Sequence, residues 1–292
     1  MRLALIERHV ESMEELQRIV GAMRAIASMR MQEAVRALAS VREYGATLAE
    51  ALRDALAIAD DEAHSEGGGS RRLIEATRRP AGRRARRALV LFASEHGFVG
   101  GFNQRLIEVI ESDLASTDAL MIVGGRGAAF AAERGHAAAW SRPLATRLAG
   151  IPETVRLLEE ALLPRISREE IAYADVIFGR YGGSGGIDIE RHRLFPLELA
   201  PSGQRRELAP LHDLPMPELL ERLTAEYMLA QLTEAATEAL AAENAARFAA
   251  MESARDNVGH KLATLRLDVS RARQEEITTE LLDLMTGEQA LG

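Results

Sequence analysis

Residues 248–272 read FAAMESARDNVGHKLATLRLDVSRA, in which Phe248, Met251, Val258, Leu262, Leu265, Val269 and Ala272 hold heptad positions and Arg255 interrupts. A sustained spacing of about 3.5 residues lays one apolar seam along a helix and requires a second helix to cover it. No proline follows Pro217, so the strongest helix breaker is missing from there to Leu284. At about 1.5 Å per residue such a helix reaches roughly 100 Å. A compact domain of this chain length is far narrower, so much of the helix is expected to project.

The other end of the chain carries a matching stripe. The first proline is Pro80, and before it Leu3, Ile6, Val10, Met13, Leu16, Val20 and Met23 recur at steps of three and four, with Ile26, Val35, Leu38, Val41, Leu48 and Leu52 extending a looser series. One amphipathic helix is predicted from Leu3 to about Ile58, roughly 80 Å long. Antiparallel pairing of the two terminal helices buries both stripes at once, each large aliphatic side chain contributing about 1.5–3 kcal/mol. Two separate helical hairpins folded onto a central domain would leave more helix ends to satisfy and would not account for the lengths.

Between the ends the periodicity changes. ALVLFAS (88–94), ALMIVGG (119–125) and IAYADVIFG (171–179) read as buried strands, and IDIERHRLFPL (187–197) as an alternating one after the turn GGSGG. Helices are predicted over 103–113, over AAFAAERG and over 151–163. Strands alternating with helices indicate a small α/β domain with a mainly parallel sheet. The predicted architecture is a long antiparallel coiled coil of the terminal helices with an inserted, Rossmann-like α/β domain. Its boundaries are 1–59 for the first helix, 60–88 for a polar linker, 89–210 for the α/β domain and 211–292 for the last helix.

Composition narrows the functions. There is no cysteine, hence no disulfide framework and no thiolate nucleophile or ligand. Aromatic residues make up only 4%, which suits slim, alanine-rich helices. The opening MRLALIERHVESMEELQ carries early acidic residues and no continuous apolar run, so neither a signal nor a transit peptide is expected, and no stretch is apolar enough to span a membrane. A formal charge of −8 argues against a general nucleic-acid binder. The segment 71–87 holds eight arginines against Glu75 alone, and is read as a solvated linker rather than an anionic-lipid or nucleic-acid patch.

Two glycine-rich turns could cradle phosphate. SEHGFVGGFN (94–103) follows a strand and opens a helix, with Gly97, Gly100, Gly101 and Asn103 as its structural residues. A nucleotide-hydrolysing P-loop needs a lysine beside the second glycine, and the one lysine is Lys261, inside the last helix. VGGRGAAF (123–130) lacks the third glycine of a dinucleotide fingerprint and the ribose-binding acid about 20 residues on. The seven histidines have no metal-binding spacing, and His96 beside Glu95 is a weak catalytic candidate. No cofactor or metal is expected. At the C-terminus RARQEEITTELLDLMTGEQAL ends in Leu281, Leu282, Leu284, Met285 and Leu291, an apolar tip that calls for a protein sleeve.

Three stretches together resemble the γ subunit of F-type ATP synthases. RHVESMEELQRIVGAMRAIASMR (8–30) is similar to the family's first helix, with Ala22 and Met23 at its A-M pair. SEHGFVGGFN looks like its D-R-G-L-C-G-G-x-N loop. ARFAAMESARDNVG (246–259) and SRARQEEITTEL (270–281) resemble its last helix, and R-x-R-Q-x-x-I-T-x-E is kept as Arg271, Arg273, Gln274, Ile277, Thr278 and Glu280. Glu15-Leu16, Glu95-His96 and Val269-Ser270 stand where the family has N-T, D-R and Y-N, departures that suggest a divergent bacterial member; the alternative, second-operon type is one such candidate.

The resemblance implies a rotor shaft without a catalytic site of its own, present once per complex. The coiled coil would turn within the hexamer of α and β subunits, with the α/β domain gripping the ε subunit and the membrane c ring on the cytoplasmic face of the bacterial inner membrane. It also implies β-subunit contacts at Met23, Arg273, Gln274, Thr278 and Glu280, and a sleeve around Leu281, Leu284, Met285 and Leu291. Two other readings compete: a nucleotide-binding α/β enzyme with helical arms, and a coiled-coil scaffold without a rotary partner.

Overall fold

The computed structural model describes residues 2–65, 86–112, 114, 118–183, 186–197 and 211–289, with side chains described for 3–59 of the first helix and 216–282 of the last. The elements are α1 (Arg2–Ser65), β1 (Arg86–Phe92), α2 (Phe102–Glu111), β2 (Ala119–Val123), α3 (Gly125–Glu133), β3 (Trp140–Arg142), α4 (Ile151–Ser167), β4 (Ile171–Tyr181), β5 (Ile187–Phe195) and α5 (Met216–Gln289). Thus α1 continues past residue 59, and β1 begins at Arg86, inside the stretch expected as linker. The rest of that linker, and residues 198–210, lie outside the described residues. The chain divides into two compact units, Met1–Ala27 with Arg247–Gly292, and Ser28–Ala246.

In the first unit the ends of α1 and α5 pair antiparallel. Glu7 meets Arg273 at 2.7 Å, Glu14 meets Arg266 at 2.8 Å and Arg24 meets Glu252 at 2.6 Å, so one residue number rises as the other falls. The predicted heptad positions of α5 all face inward: Met251, Val258 and Leu262 are buried, and Phe248, Leu265, Val269 and Ala272 half-buried. Arg255 is exposed. On α1 the expected stripe needs correction, since Leu16 and Ile26 are exposed. A 3.5-residue seam through Met13 and Val20 passes through Gln17, Arg24 and Ala27, which are buried or half-buried. Leu16 and Ile26 sit one residue off it, on the outer flank.

In the second unit the same rule selects Ala34, Leu38, Leu52, Ala55 and Ala59 as the buried face of α1, and leaves Val35 exposed. Leu52, Ala55, Leu56 and Ala59 pack with Met216 and Leu220 of α5. The sheet order is β3-β2-β1-β4-β5, parallel except for the antiparallel β4–β5 pair. β1 is central and covered on both faces, which is why ALVLF is continuously apolar. Alternate residues serve opposite cores. Val90, Phe92, Met121 and Val176 pack with α4 and with Leu232, Ala236 and Leu240 of α5. Leu89, Leu91, Ile122 and Ile177 pack with Phe102, Leu106 and Ile110 of α2 and Ala242 of α5. β3 was not predicted; its three residues WSR carry no alternation to read.

Candidate functional site

The glycine turn after β1 occupies the place where a doubly wound sheet binds ligands: the carboxyl end of a central strand whose neighbours are reached in opposite chain directions. The donors at its start are engaged within the chain. Ser94 N–H donates to Asn103 Oδ1 at 3.1 Å, and Asn103 Nδ2 returns a bond to Ser94 Oγ at 2.7 Å. Glu95 N–H donates to the Glu243 carboxylate of α5 at 3.2 Å, and His96 N–H approaches its other oxygen at 3.5 Å, the limit of a useful bond. Glu243 is only 3% exposed. Gly100 takes φ +56°, within the left-handed range that glycine enters without cost, and Phe98 takes φ +61° at the exposed tip. A Cβ on Gly97 or Gly101 would meet open space, so neither is required by crowding.

The second glycine turn is closed in the same manner. The Glu95 side chain accepts from Gly125 N–H at 2.8 Å, at the start of α3, and from Leu144 N–H at 2.9 Å. A carboxylate is favoured there by the helix dipole and by otherwise unpaired amides. Gly127 lies against Ala93, where an added Cβ would sit less than 3.0 Å from the alanine methyl. A carboxylate of the chain itself therefore accepts from backbone amides in each apparent phosphate cradle. Neither Glu95 nor Glu243 was singled out as an anchor from sequence, because the second lies 148 residues from its partner in a helix rich in glutamate. We predict that titrating the isolated chain with inorganic phosphate or ATP in a calorimeter yields no saturable heat at millimolar concentration. A saturable heat would favour the enzyme reading.

A second buried carboxylate, Glu238 of α5, is 2% exposed and pairs with Arg42 of α1, with Arg180 of β4 at 3.7 Å. Arg42 also holds Glu234 at 2.9 Å, and Arg180 holds Glu190 at 2.8 Å. Burial pushes the Glu238 carboxyl above its ordinary value of 4.5, with the two arginines opposing the shift. A carboxyl raised in the folded state stabilises fully below the unfolded value and loses that contribution as pH rises through the folded one. The stability of the native chain relative to Glu238→Gln is thus expected to fall as pH rises from 4.5 toward neutrality, measured by urea unfolding of both proteins. A difference independent of pH would refute it.

On the coiled coil the candidate contact residues are presented outward. Met23 is half-buried, whereas Arg273, Gln274, Thr278 and Glu280 are exposed. Arg273 is held by Glu7, and Thr278 Oγ1 donates to the Gln274 carbonyl at 2.7 Å. Exposed ion pairs of this kind contribute about 0–1 kcal/mol and exchange partners readily. Leu281 is 56% exposed, and Ile277 and Leu282 equally stand out from the helix. The side chains of Leu284 and Met285, and all of Leu291, lie outside the described residues. Among the described residues no cluster of three or more His, Asp or Glu could hold a metal, and no helix is long and apolar enough to cross a membrane.

Comparison with known proteins agrees over the full length. The chain is 25% identical over 298 residues to the ATP synthase gamma chain of Geotalea daltonii, covering 99% of this chain and 98% of that one. It is 28% identical over 302 residues to the gamma chain of Phenylobacterium zucineum, covering 98% of each. The fold is that of the rotor of Euglena gracilis mitochondrial ATP synthase, with a TM-score of 0.61 at 15% identity over 94% of this chain and 99% of that one. The central stalk of the Tetrahymena thermophila enzyme matches with a TM-score of 0.55 at 14% identity, over 81% and 99%. With the ATP synthase family matched from residue 2 to residue 291, helices and sheet alike, this chain belongs to that family.

Proposed function

We infer that the chain is the central rotor shaft of a rotary F-type ATP synthase, coupling ion flow through a membrane ring to ATP synthesis or hydrolysis in a catalytic hexamer. The observation that carries this reading is the family match over residues 2–291 on a chain whose two terminal helices pair antiparallel. One copy would turn among the α and β subunits, with the ε subunit and the c ring held by the sheet-bearing part, on the cytoplasmic face of a bacterial inner membrane. The chain acts mechanically and catalyses nothing itself. A shaft in asymmetric contact with three β subunits gives each a different preferred conformation, and turning it passes those preferences on in order. Two glycine turns whose amides already hold carboxylates of the chain fit a part that transmits torque and binds no nucleotide.

Reconstitution with purified α and β subunits tests the reading: steady-state ATPase activity should rise when this chain is added. Equal activity with and without it would leave a scaffold role.

Met23, Arg273, Gln274, Thr278 and Glu280 are proposed as the β-facing contacts, and Leu281 as part of the tip held in the hexamer sleeve. Exposure of the four polar residues supports this, since each can change partners as the shaft turns. Met23→Lys should lower ATP-driven proton pumping per ATP hydrolysed while leaving the melting temperature within a degree or two, because a half-buried thioether is replaced by a cation that forms one fixed ion pair. Unchanged pumping per ATP in membrane vesicles counts against the assignment.

A further inference from the structure

The glycine turn after β1 is built as an anion-binding turn, but its anion belongs to the chain. Consecutive amides of Glu95 and His96 point at one carboxylate, that of Glu243, from a helix 148 residues away in sequence. The flanking groups are accounted for as well. Ser94 is held on both sides by Asn103, the Ser94 carbonyl accepts from Gly127 N–H at 2.9 Å, and the Glu95 carbonyl from Arg126 N–H at 3.2 Å. Glu95 in turn holds the start of α3 and the chain after β3. One buried side chain on α5 is therefore joined through a single turn to β1, α2, α3 and the segment following β3.

Around Glu243 small side chains make much of the contact between α5 and the sheet, with Leu240 as a large neighbour one turn away. Ala239, Ala242 and Ala246 are buried beside it, and Gly179 of β4 faces Ala242. Alanine surfaces permit close approach but resist sliding and rotation weakly, because they have no long side chain to interdigitate. A charge-assisted bond to fixed backbone amides does resist them, since it is directional and falls off steeply with misalignment.

We propose that Glu243 is the positioning residue that locks the rotation of α5 about its own axis to the sheet, so that torque on the shaft helix passes to the sheet-bearing part without slack. The proposal rests on the rotor reading. It assigns the glycine turn a mechanical role as the fixed half of a latch, with Glu243 as the moving half.

The test uses the assembled complex with wild-type chain, Glu243→Ala and Glu243→Gln. Wild-type complex must first restore ATPase activity and proton pumping; if it does not, the rotor reading itself fails. With wild type working, angular fluctuations of a bead on the membrane ring are recorded while the hexamer is stalled. In Glu243→Ala the angular variance is expected to rise about twofold or more, because α5 loses its directional bond to the turn after β1. Adding formate, a free carboxylate small enough to reach the amides, should narrow it again. Glu243→Gln keeps the shape and one acceptor, and should fall between the two even if the alanine variant assembles poorly. A role confined to stability would lower the melting temperature of the isolated chain yet leave the variance of assembled complexes, and its insensitivity to formate, unchanged. That outcome overturns the proposal.

Discussion

Gly124→Ala should destabilise the sheet-bearing part of the chain strongly, with a loss of about 4 kcal/mol in urea denaturation. Two causes act together. Gly124 has φ +129°, a conformation that residues with a Cβ rarely adopt, which accounts for about 1–3 kcal/mol. An added Cβ would also lie less than 3.0 Å from the carbonyl of Ala93 and from that of Ser94. These are backbone atoms, and they are pinned: Ala93 N–H is bonded to Val123 at 2.8 Å and the Ser94 carbonyl to Gly127. Relief therefore requires β1 and the start of α3 to separate, which strains the bonds between Glu95 and α3. A loss below about 1 kcal/mol would mean that the turn can relax locally and that the close approach is not essential.

Ala236→Leu should cost about 3 kcal/mol, measured in the same way. Ala236 has no exposed surface and sits on α5 between Leu232 and Leu240, within the core shared with Val90, Phe92 and Val176. Ala34 of α1 belongs to the same core and is also fully buried. Three extra carbon atoms here must push a helix away from the sheet or force its neighbours out of staggered rotamers, since interiors have few voids to receive them. The exposed Val35→Ala, next to Ala34 in sequence but on the outer flank, makes the control and should change stability by less than about 0.5 kcal/mol. Equal effects of the two substitutions would mean that the seam runs through the large residues after all.

That pair of residues also shows what the sequence could and could not disclose. The heptads of α5 near the C-terminus were legible because their seam residues are large. In α1 the large residues Leu16, Ile26 and Val35 invite a seam that lies one position off the true one, and the true one passes through Ala27 and Ala34. Alanine has high helix propensity and little hydrophobic contrast, so it marks a helix but does not mark its buried side. The central strands were legible for the opposite reason: β1 and β2 are buried on both faces and hold unbroken apolar runs, and β4 is apolar but for Asp175 over its buried part. β3 has three residues, half-buried or exposed, and offers no such contrast.

The site divides along similar lines. Position and chemistry of the glycine turn were visible, because glycines between a strand and a helix have few other uses. Its occupant was not. Glu243 and Glu238 lie among alanines and other acids in a helix whose glutamates are mostly solvated, and only the return of α5 across the sheet brings Glu243 to the turn and Glu238 to Arg42 and Arg180. Contacts made by residues 148 positions apart leave no local pattern to read.

Tethering the anion to the chain has a consequence for the environment in which such a shaft works. A free phosphate would fill the turn in proportion to its concentration, and ATP, ADP and phosphate are the species whose levels swing as an ATP synthase changes load. A carboxylate on a fixed helix is present at an effective concentration that short tethers raise to roughly millimolar or beyond, and it does not vary. The stiffness of this element is therefore insulated from the metabolic state of the cell: fuel and exhaust can saturate or desert the catalytic subunits without altering the part that connects them to the membrane.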